Sequence, residues 1–210
     1  MSSTAVGPAA ALALIRRRTF GPYFFGNALS ASGTWFQNLA AALLVYRQTH
    51  SALLLGVLNF SQFIPMLVLA PWAGAAADRW NRRALLLVSQ SVAVVLSGGL
   101  GLLAHFDLAP TEVVIADAVA LGVVSAFSAP AQQALIATLV DEPDVPTAVA
   151  LNSITFNLAR AIGPATAAVA VEYLGIPAAF GLNAASYLVF VGALLTPSAA
   201  TSSARSARAR

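Results

Sequence analysis

Residue types that commonly catalyse reactions or bind metals are scarce in this sequence. It contains no cysteine, and its two histidines, His50 and His105, fall in predicted loops. The lack of cysteine excludes disulfides and thiolate metal sites, and no nucleophile is accompanied by a suitable base. We therefore expect no enzymatic activity, no metal site and no bound cofactor.

The most distinctive cluster of charges is GAAADRWNRR, residues 74–83, which separates two apolar runs. A small Gly74 one helical turn before Asp78 lets a neighbouring helix approach closely, and a carboxylate there can face the positive N-terminus of that helix. Arginines hold a loop on the cytoplasmic side, but an acidic residue contributes little to orientation. The pattern predicts a latch between helices, and a pure topology signal is the alternative. The latch residues would be Gly74, Asp78, Arg79, Arg82 and Arg83.

Two further charges, Asp117 and Arg160, interrupt long apolar segments. A charged side chain at mid-membrane depth is energetically expensive, usually faces the interior of a bundle, and marks a functional position. The predicted span boundaries separate the two residues by about 9 Å in depth, which a long side chain or a water molecule can bridge. We expect a buried charge pair. It could be purely structural, or protonation of Asp117 could release Arg160 and gate the protein.

The first apolar segment carries polar side chains that could line a cavity. Asn27, Gln37 and Asn38 bear amide groups, which orient ligands in mostly apolar pockets. Their neighbour Trp35 could line the same cavity or lie in an interfacial aromatic belt. The segment therefore indicates a candidate cavity for an amphipathic ligand.

Gly163 and Pro164 follow Arg160 within a later apolar segment. Proline in a membrane helix frees a backbone carbonyl and allows a bend, and the small residues around it favour close helix packing. We expect a functional helix bend at these two residues. A kink that serves only packing is the alternative.

Long apolar segments must position all of these residues. Of the 210 residues, 59% are hydrophobic and only 9% are charged, whereas a soluble domain has about 25% charged residues. A spanning helix needs about 20 mostly apolar residues. The sequence predicts an all-α membrane protein with six transmembrane helices. The predicted spans are 20–46, 52–77, 84–104, 112–134, 147–171 and 176–196.

The placement of arginine predicts the orientation of these spans. Cytoplasmic loops are enriched in Lys and Arg near span ends. Nine arginines lie in segments 1–19, 78–83 and 197–210, whereas the opposite loops contain only Arg47. We therefore expect a multi-pass protein of the cell inner membrane with both termini in the cytoplasm. Because the arginines lie at span ends, the net charge of +3 does not indicate nucleic-acid binding.

Several segments carry a resemblance to the major facilitator superfamily. Residues 74–83 resemble its signature after the second helix, a glycine, an aspartate four residues later, a basic residue and a basic pair. Where the signature has another glycine, this chain has Asn81, which can still enter a left-handed turn. Residues 152–168 resemble, in their Gly-Pro core, the antiporter motif of proton-coupled exporters. A closer resemblance is to the exporter branch that includes the enterobactin exporter and the macrolide efflux proteins. This resemblance rests on segments 34–56, 126–140, 148–153 and 157–165.

The resemblance implies one half of a transporter fold, with the six helices arranged as two inverted three-helix repeats. It implies that Gly74, Asp78 and Arg79 latch this half to a second six-helix half on the cytoplasmic side. That partner would be a missing C-terminal half, a separate chain or a second copy of this chain. The chain would divide into a cytoplasmic segment 1–19, a bundle 20–196, and a basic tail or inter-half linker 197–210.

These observations predict a transporter that exports a drug-like or siderophore-like small molecule by alternating access within the lipid bilayer, coupled to a proton. An uptake permease of the same superfamily is one alternative. A non-transporting membrane scaffold, or a truncated inactive gene product, is the other.

Overall fold

Helices account for nearly all of the described chain. The computed structural model describes residues 7–196, and within this range it contains seven α-helices, one short 3₁₀ turn and no β-strand. The 3₁₀ turn spans Glu142–Asp144. The all-helical class is confirmed, and the tail predicted over 197–210 lies outside the described residues. The helices are α1 (Pro8–Ile15), α2 (Gly21–Thr49), α3 (Ala52–Arg79), α4 (Arg82–His105), α5 (Thr111–Leu139), α6 (Val145–Leu174) and α7 (Ile176–Leu195).

Local signals in the sequence set the helix ends. The Ser51 hydroxyl accepts the backbone N–H of Leu54 at the start of α3, and Gly175, with φ of 85°, separates α6 from α7. Asn81 caps the start of α4, where its side chain accepts the backbone N–H groups of Arg83 and Ala84. With φ of −64° and ψ of 111°, the backbone of Asn81 is extended, so Asn81 does not adopt the left-handed turn that this residue type can enter. Asparagine serves here as an N-cap, a position at which it is strongly preferred.

Five of the long helices, α3 to α7, are long and apolar enough to cross a membrane. The sixth, α2, has 29 residues, more than the roughly 20 that a span requires. It is more polar than the others because it contains amides and hydroxyls along much of its length. Each of the six predicted spans therefore overlaps one long helix. Five of these helices are long and apolar enough to cross a membrane.

The outward sides of the helices are apolar. Leu53, Phe60, Leu67 and Val95 each have more than 60% of their surface exposed, although large apolar residues are usually buried in soluble proteins. Such a surface is typical of a protein whose solvent is the lipid bilayer.

The helices pack in a regular scheme around two apolar clusters. The principal contacts join α3 with α5, α2 with α6 and α7, and α4 with α5 and α7. One cluster, which includes Phe20, Leu86 and Phe190, lies at the proximal end of the bundle, where α2 begins. The other, which includes Val45 and Phe180, lies at the distal end, where α2 ends. Most of the buried polar side chains lie between them.

The N-terminal segment is fastened to the proximal end. Leu14 of α1 is buried in the proximal cluster. Arg17, just after α1, forms ion pairs with Asp141 at 3.1 Å and Asp144 at 2.8 Å. Within residues 7–196 these are the only ion pairs. They join the N-terminal segment to the connection between α5 and α6.

Candidate functional site

A cavity of about 590 Å³, which we term the central cavity, is lined by residues of all six long helices. Its lining combines aromatic and aliphatic side chains with hydroxyls and amides. Cavities of roughly 300–1,000 Å³ with this mixed lining hold drug-sized ligands. The amides that line it are those of Asn27, Asn38, Gln62, Gln90, Gln132 and Asn152.

Some of these amides are connected across helices. Asn27 on α2 donates to Asn152 Oδ1 on α6 at 2.8 Å, and it accepts a hydrogen bond from Gln132 on α5. Gln62 on α3 donates to Asn38 Oδ1 on α2 at 3.0 Å. Asn27 and Asn38, two of the predicted cavity residues, therefore line the cavity and also link the helices around it.

Arg160 lies at the middle of the 30-residue helix α6 and is exposed toward the central cavity. It is the only charged residue among the described residues of the lining. Its side chain has no hydrogen-bond or ion-pair partner within residues 7–196. Pro164, four residues later, has no N–H to donate to the Arg160 carbonyl, so the backbone here lacks one helical hydrogen bond.

A second polar group, closed off from solvent, lies beside the cavity. Gln37 Nε2 donates to Asp117 Oδ2 at 2.9 Å. The Nδ2 group of Asn183 donates to Gln37 Oε1 at 3.3 Å and to Ser97 Oγ at 3.1 Å. All four side chains are buried. These residues, which we term the closed network, join α2, α4, α5 and α7.

The predicted pair of Asp117 and Arg160 is not formed, and this expectation is wrong for the structure. The helices are longer than the predicted spans, so Arg160 lies about 21 Å from the distal end of α6 and Asp117 about 9 Å from that of α5. The depth difference is therefore about 12 Å. In addition, α6 packs mainly on α2, whereas α5 packs mainly on α3 and α4. Gln37, rather than Arg160, satisfies Asp117.

A small space of about 30 Å³ lies beside Asp117 and is lined by Gln37, Asn38, Asn59 and Gln62 among others. This volume is enough for about one water molecule. Asn38 and Gln62 also line the central cavity, so the space beside Asp117 and the central cavity share part of their walls.

Gly163 is a point of close helix approach. It is buried, and a Cβ atom at this position would collide with the indole of Trp35 on α2. Trp35 thus packs against α6 and lines the cavity, rather than lying in an interfacial belt. Helix α6 runs through Gly163 and Pro164 without interruption from Val145 to Leu174.

The expected latch residues lie at the proximal end. Asp78 and Arg79 are exposed, and a Cβ atom on Gly74 would meet no other atom within 4 Å. The close approach expected at Gly74 is therefore absent within the described residues. Asp78 lines a cavity of about 460 Å³, together with Arg82, Arg83 and residues of α5 and α7.

Arg82 and Arg83 bind carbonyl groups of neighbouring helices. Arg82 Nη1 donates to the Ala134 carbonyl of α5 at 3.4 Å. Arg83 Nε donates to the Leu194 carbonyl at 2.5 Å, and its Nη2 group donates to the Thr196 carbonyl. Arginine here satisfies the free carbonyls at the end of α7. Arg82 and Arg83, two of the predicted latch residues, therefore also connect α4 to α5 and α7.

Sequence reasoning missed Asn183 and Ser97, which complete the closed network, and Asn152, which bonds Asn27. Each is a polar side chain within an apolar helix, and such residues usually face the interior of a bundle. That signal could have placed them inside the protein but not named their partners. No group of three or more acidic or histidine side chains in the described part of the chain is arranged to hold a metal ion.

Comparison with known proteins agrees with this architecture. The model of the family described as transmembrane secretion effector, of the major facilitator superfamily, matches residues 9–208. The chain is 33% identical over 171 residues to the staphyloferrin A transporter of Staphylococcus aureus (strain NCTC 8325 / PS 47), covering 80% of this chain and 43% of the relative.

A second relative is the MFS-type transporter YfiS of Bacillus subtilis (strain 168). It is 27% identical over 165 residues, which cover 77% of this chain and 38% of the relative. The chain therefore spans about two fifths of the length of the curated relatives it matches. Because the family model covers nearly the whole sequence, the chain belongs to the transmembrane secretion effector family of the major facilitator superfamily, a family of membrane transporters and not of enzymes.

Proposed function

We propose that this chain forms one six-helix half of a proton-coupled exporter of small amphipathic molecules that works by alternating access. The observation that carries this proposal is the central cavity, to which all six long helices contribute. Transporters of this architecture bind substrate near the membrane midplane at the interface between repeats, and residues of both three-helix units, α2–α4 and α5–α7, line this cavity.

In this proposal α2 crosses the membrane with the other five long helices. Its polar residues face inward, since Asn27 and Gln37 are buried. Its outward side carries the exposed apolar residues Phe25 and Leu29. A helix that hides its amides inside a bundle and presents apolar side chains to lipid can span a bilayer despite lower average hydropathy.

The packing scheme supports two inverted three-helix repeats, α2–α4 and α5–α7. In such a relation α2 corresponds to α5, α3 to α6 and α4 to α7. The contact of α3 with α5 then corresponds to that of α6 with α2, and the contact of α2 with α7 corresponds to that of α5 with α4. The contact of α4 with α7 corresponds to itself. All of these pairs are principal contacts of the bundle, as a two-fold relation between three-helix units requires.

The proximal end is assigned to the cytoplasm. Arg17, Arg79, Arg82 and Arg83 lie at that end, whereas Arg47 lies in the last turn of α2 at the distal end. Cytoplasmic span ends are enriched in arginine. Residues 1–19 and 197–210 would then be cytoplasmic flanks of the bundle 20–196.

The partner of this half is a second six-helix half, present on the same protein, on a separate chain or on a second copy. The free space around Gly74 and the exposed carboxylate of Asp78 support a latch to that partner at the proximal end. A helix N-terminus presented by the partner would attract the carboxylate, and Gly74 would let that helix come close.

Asp117 is the group proposed to carry the coupling proton. All eight acidic residues of the sequence lie in the described part of the chain, and Asp117 is the only buried one. The small space beside it shares Asn38 and Gln62 with the wall of the central cavity. Protonation would remove the only negative charge of the closed network, so ligand and proton binding can influence each other there. The bend proposed at Gly163 and Pro164 would let α6 follow this change.

The direction and the substrate class rest on the family. Its description as a secretion effector supports export over uptake. Because one relative is described as a staphyloferrin A transporter, a siderophore-like compound is the class proposed for the substrate. A drug-like amphipathic molecule is the broader form of the same proposal.

The test is energised dye efflux from cells that express the protein. Cells are loaded with dansyl dyes that share an undecyl chain and end in a carboxylate, an amide or a trimethylammonium group. We expect efflux of at least one dye that stops when a protonophore is added. Asp117→Asn should reduce this efflux to the rate of cells with empty vector.

The matched control is Glu112→Gln, which removes an exposed carboxylate from the same helix. It should leave efflux unchanged. Efflux that persists with the protonophore, or that is equal in wild type and Asp117→Asn, would exclude proton coupling through this residue. Protonophore-sensitive accumulation of dye inside the cells would favour uptake. No movement of any dye by a correctly inserted protein that is expressed together with a second six-helix half would reject the transport proposal.

A further inference from the structure

We propose that the central cavity selects anionic amphipathic molecules and that Arg160 binds the anionic group. This inference rests on the proposed function of the cavity as the substrate site. It adds a substrate charge that neither the family description nor the names of the relatives supply.

The charge balance of the cavity is the first argument. Arg160 is the only charged residue in the described lining, and no side chain within residues 7–196 neutralises it. A cation inside a membrane protein is costly unless it is paired. A ligand carboxylate would supply the missing partner, and guanidinium binds carboxylate with two parallel hydrogen bonds.

The only buried carboxylate of the described chain does not compete for this role. Asp117 accepts from Gln37 within the closed network, and the two charges differ by about 12 Å in depth. A cationic ligand would meet the guanidinium without a carboxylate in the cavity wall to offset it. The described cavity wall therefore carries one positive charge and no negative charge.

The remaining lining fits the body of an amphipathic ligand. Trp35, Phe63, Phe156 and Tyr187 supply aromatic surface. The hydroxyl groups of Thr34, Ser125 and Ser128 lie in the same wall, and a few such polar groups orient a ligand in a mostly apolar pocket.

Ligand binding can be measured at this cavity without transport. The sequence contains three tryptophans, of which Trp35 lines the cavity while Trp72 and Trp80 are exposed. In a Trp72→Phe/Trp80→Phe background, Trp35 is the tryptophan of this chain that reports on the cavity. Energy transfer from Trp35 to the three dansyl dyes is measured for the native protein in lipid nanodiscs, with empty nanodiscs as the blank.

We expect the carboxylate dye to bind at least about tenfold more tightly than the amide dye, and the trimethylammonium dye to bind most weakly. Arg160→Gln should weaken the carboxylate dye by about tenfold to a hundredfold, as expected for the loss of a charge-assisted hydrogen bond, and should not weaken the other two. Arg160→Lys should restore part of the preference. Arg47→Gln, which removes an exposed arginine at the end of α2, should change none of the three affinities.

Equal affinities for the three dyes, or an equal loss of all three in a folded Arg160→Gln variant, would overturn the inference. The second outcome would assign Arg160 to structure, for example to an ion pair with the second half. Charge-selective binding without dye efflux, in cells that also express a second six-helix half, would reject the proposed transport while keeping the inference. Efflux that is equal for the three dyes and unaffected by Arg160→Gln would support the proposed transport and reject the inference.

Discussion

The closed network and the central cavity are two neighbouring polar regions that differ in how their groups are satisfied. In the closed network, Asp117, Gln37 and Asn183 use one another as hydrogen-bond partners and are all buried. In the cavity wall, Arg160 is exposed and has no partner among the described residues. The two regions share helices α2, α4, α5 and α7, so their difference does not come from different parts of the fold.

This difference separates polar groups that hold the bundle together from polar groups that are available to a ligand. An unsatisfied polar atom in hydrocarbon costs several kcal/mol, so a closed set of partners fixes the positions of the helices that carry it. A group left without a partner facing a cavity of ligand size gives the ligand something to bind. The comparison predicts that disturbing the closed network harms stability, while disturbing the cavity harms binding.

The largest effect should come from crowding the closed network at Gly33 of α2. A Cβ atom at this position would lie 2.7 Å from Asn183 Oδ1 and 2.8 Å from Ser186 Cβ, both on α7. Gly33→Val should therefore separate α2 from α7 and destabilise the protein by about 3 kcal/mol or more, at the upper end of overpacking effects. The measurement is the thermal unfolding midpoint in detergent.

The matched control is Gly99→Val on α4, because a Cβ atom at Gly99 has no other atom within 4 Å. We expect its unfolding midpoint to lie close to that of the wild type. A similar loss of stability in both variants would mean that valine in a helix, and not contact with the closed network, causes the effect.

The next largest effect should follow from removing a single partner of the closed network. Asn183→Ala leaves Gln37 Oε1 and Ser97 Oγ without the amide that donates to both, which should cost about 1–3 kcal/mol. Asn152→Ala removes a comparable bond to Asn27 at the cavity wall. Water can replace that bond, so its cost should be below about 1 kcal/mol.

Unfolding of the two variants under the same conditions tests this difference directly. If Asn152→Ala is as damaging as Asn183→Ala, the amides of the cavity wall are structural and the distinction between the two regions fails. If instead Asn152→Ala is stable but weakens dye binding, the cavity wall is confirmed as ligand-facing.

The sequence predicted the helices better than their partners. Apolar length identified all six long helices, because a span of about 20 apolar residues is a strong and local signal. It also indicated that Asp117, Arg160, Asn27 and Gln37 would be functional or interior positions. These expectations depend on a residue and its near neighbours in the chain.

Contacts between helices depend on small differences in depth and rotation, which the sequence does not state. Helices α5 and α6 extend a few residues beyond their predicted ends. The depth difference between Asp117 and Arg160 is therefore about 12 Å rather than the predicted value of about 9 Å. In the structure, Asp117 is hydrogen-bonded to Gln37 instead. The role of Gly163 as the contact point for Trp35 likewise follows from the rotation of α2 against α6, and hydropathy cannot predict that rotation.

The smallest effect is expected at the ion pairs of the proximal end, which extend the comparison to polar groups that water can reach. Arg17 binds Asp141 and Asp144, and the side chains of Arg17 and Asp141 are 43% and 82% exposed. Because solvent screens such pairs, Arg17→Gln should cost at most about 1 kcal/mol, and the cost should fall further at high salt. Unfolding in low and high salt measures both. A loss as large as that of Asn183→Ala would show that the N-terminal segment holds the bundle together. In that case the solvent exposure of a polar contact would not predict how much the contact stabilises the protein.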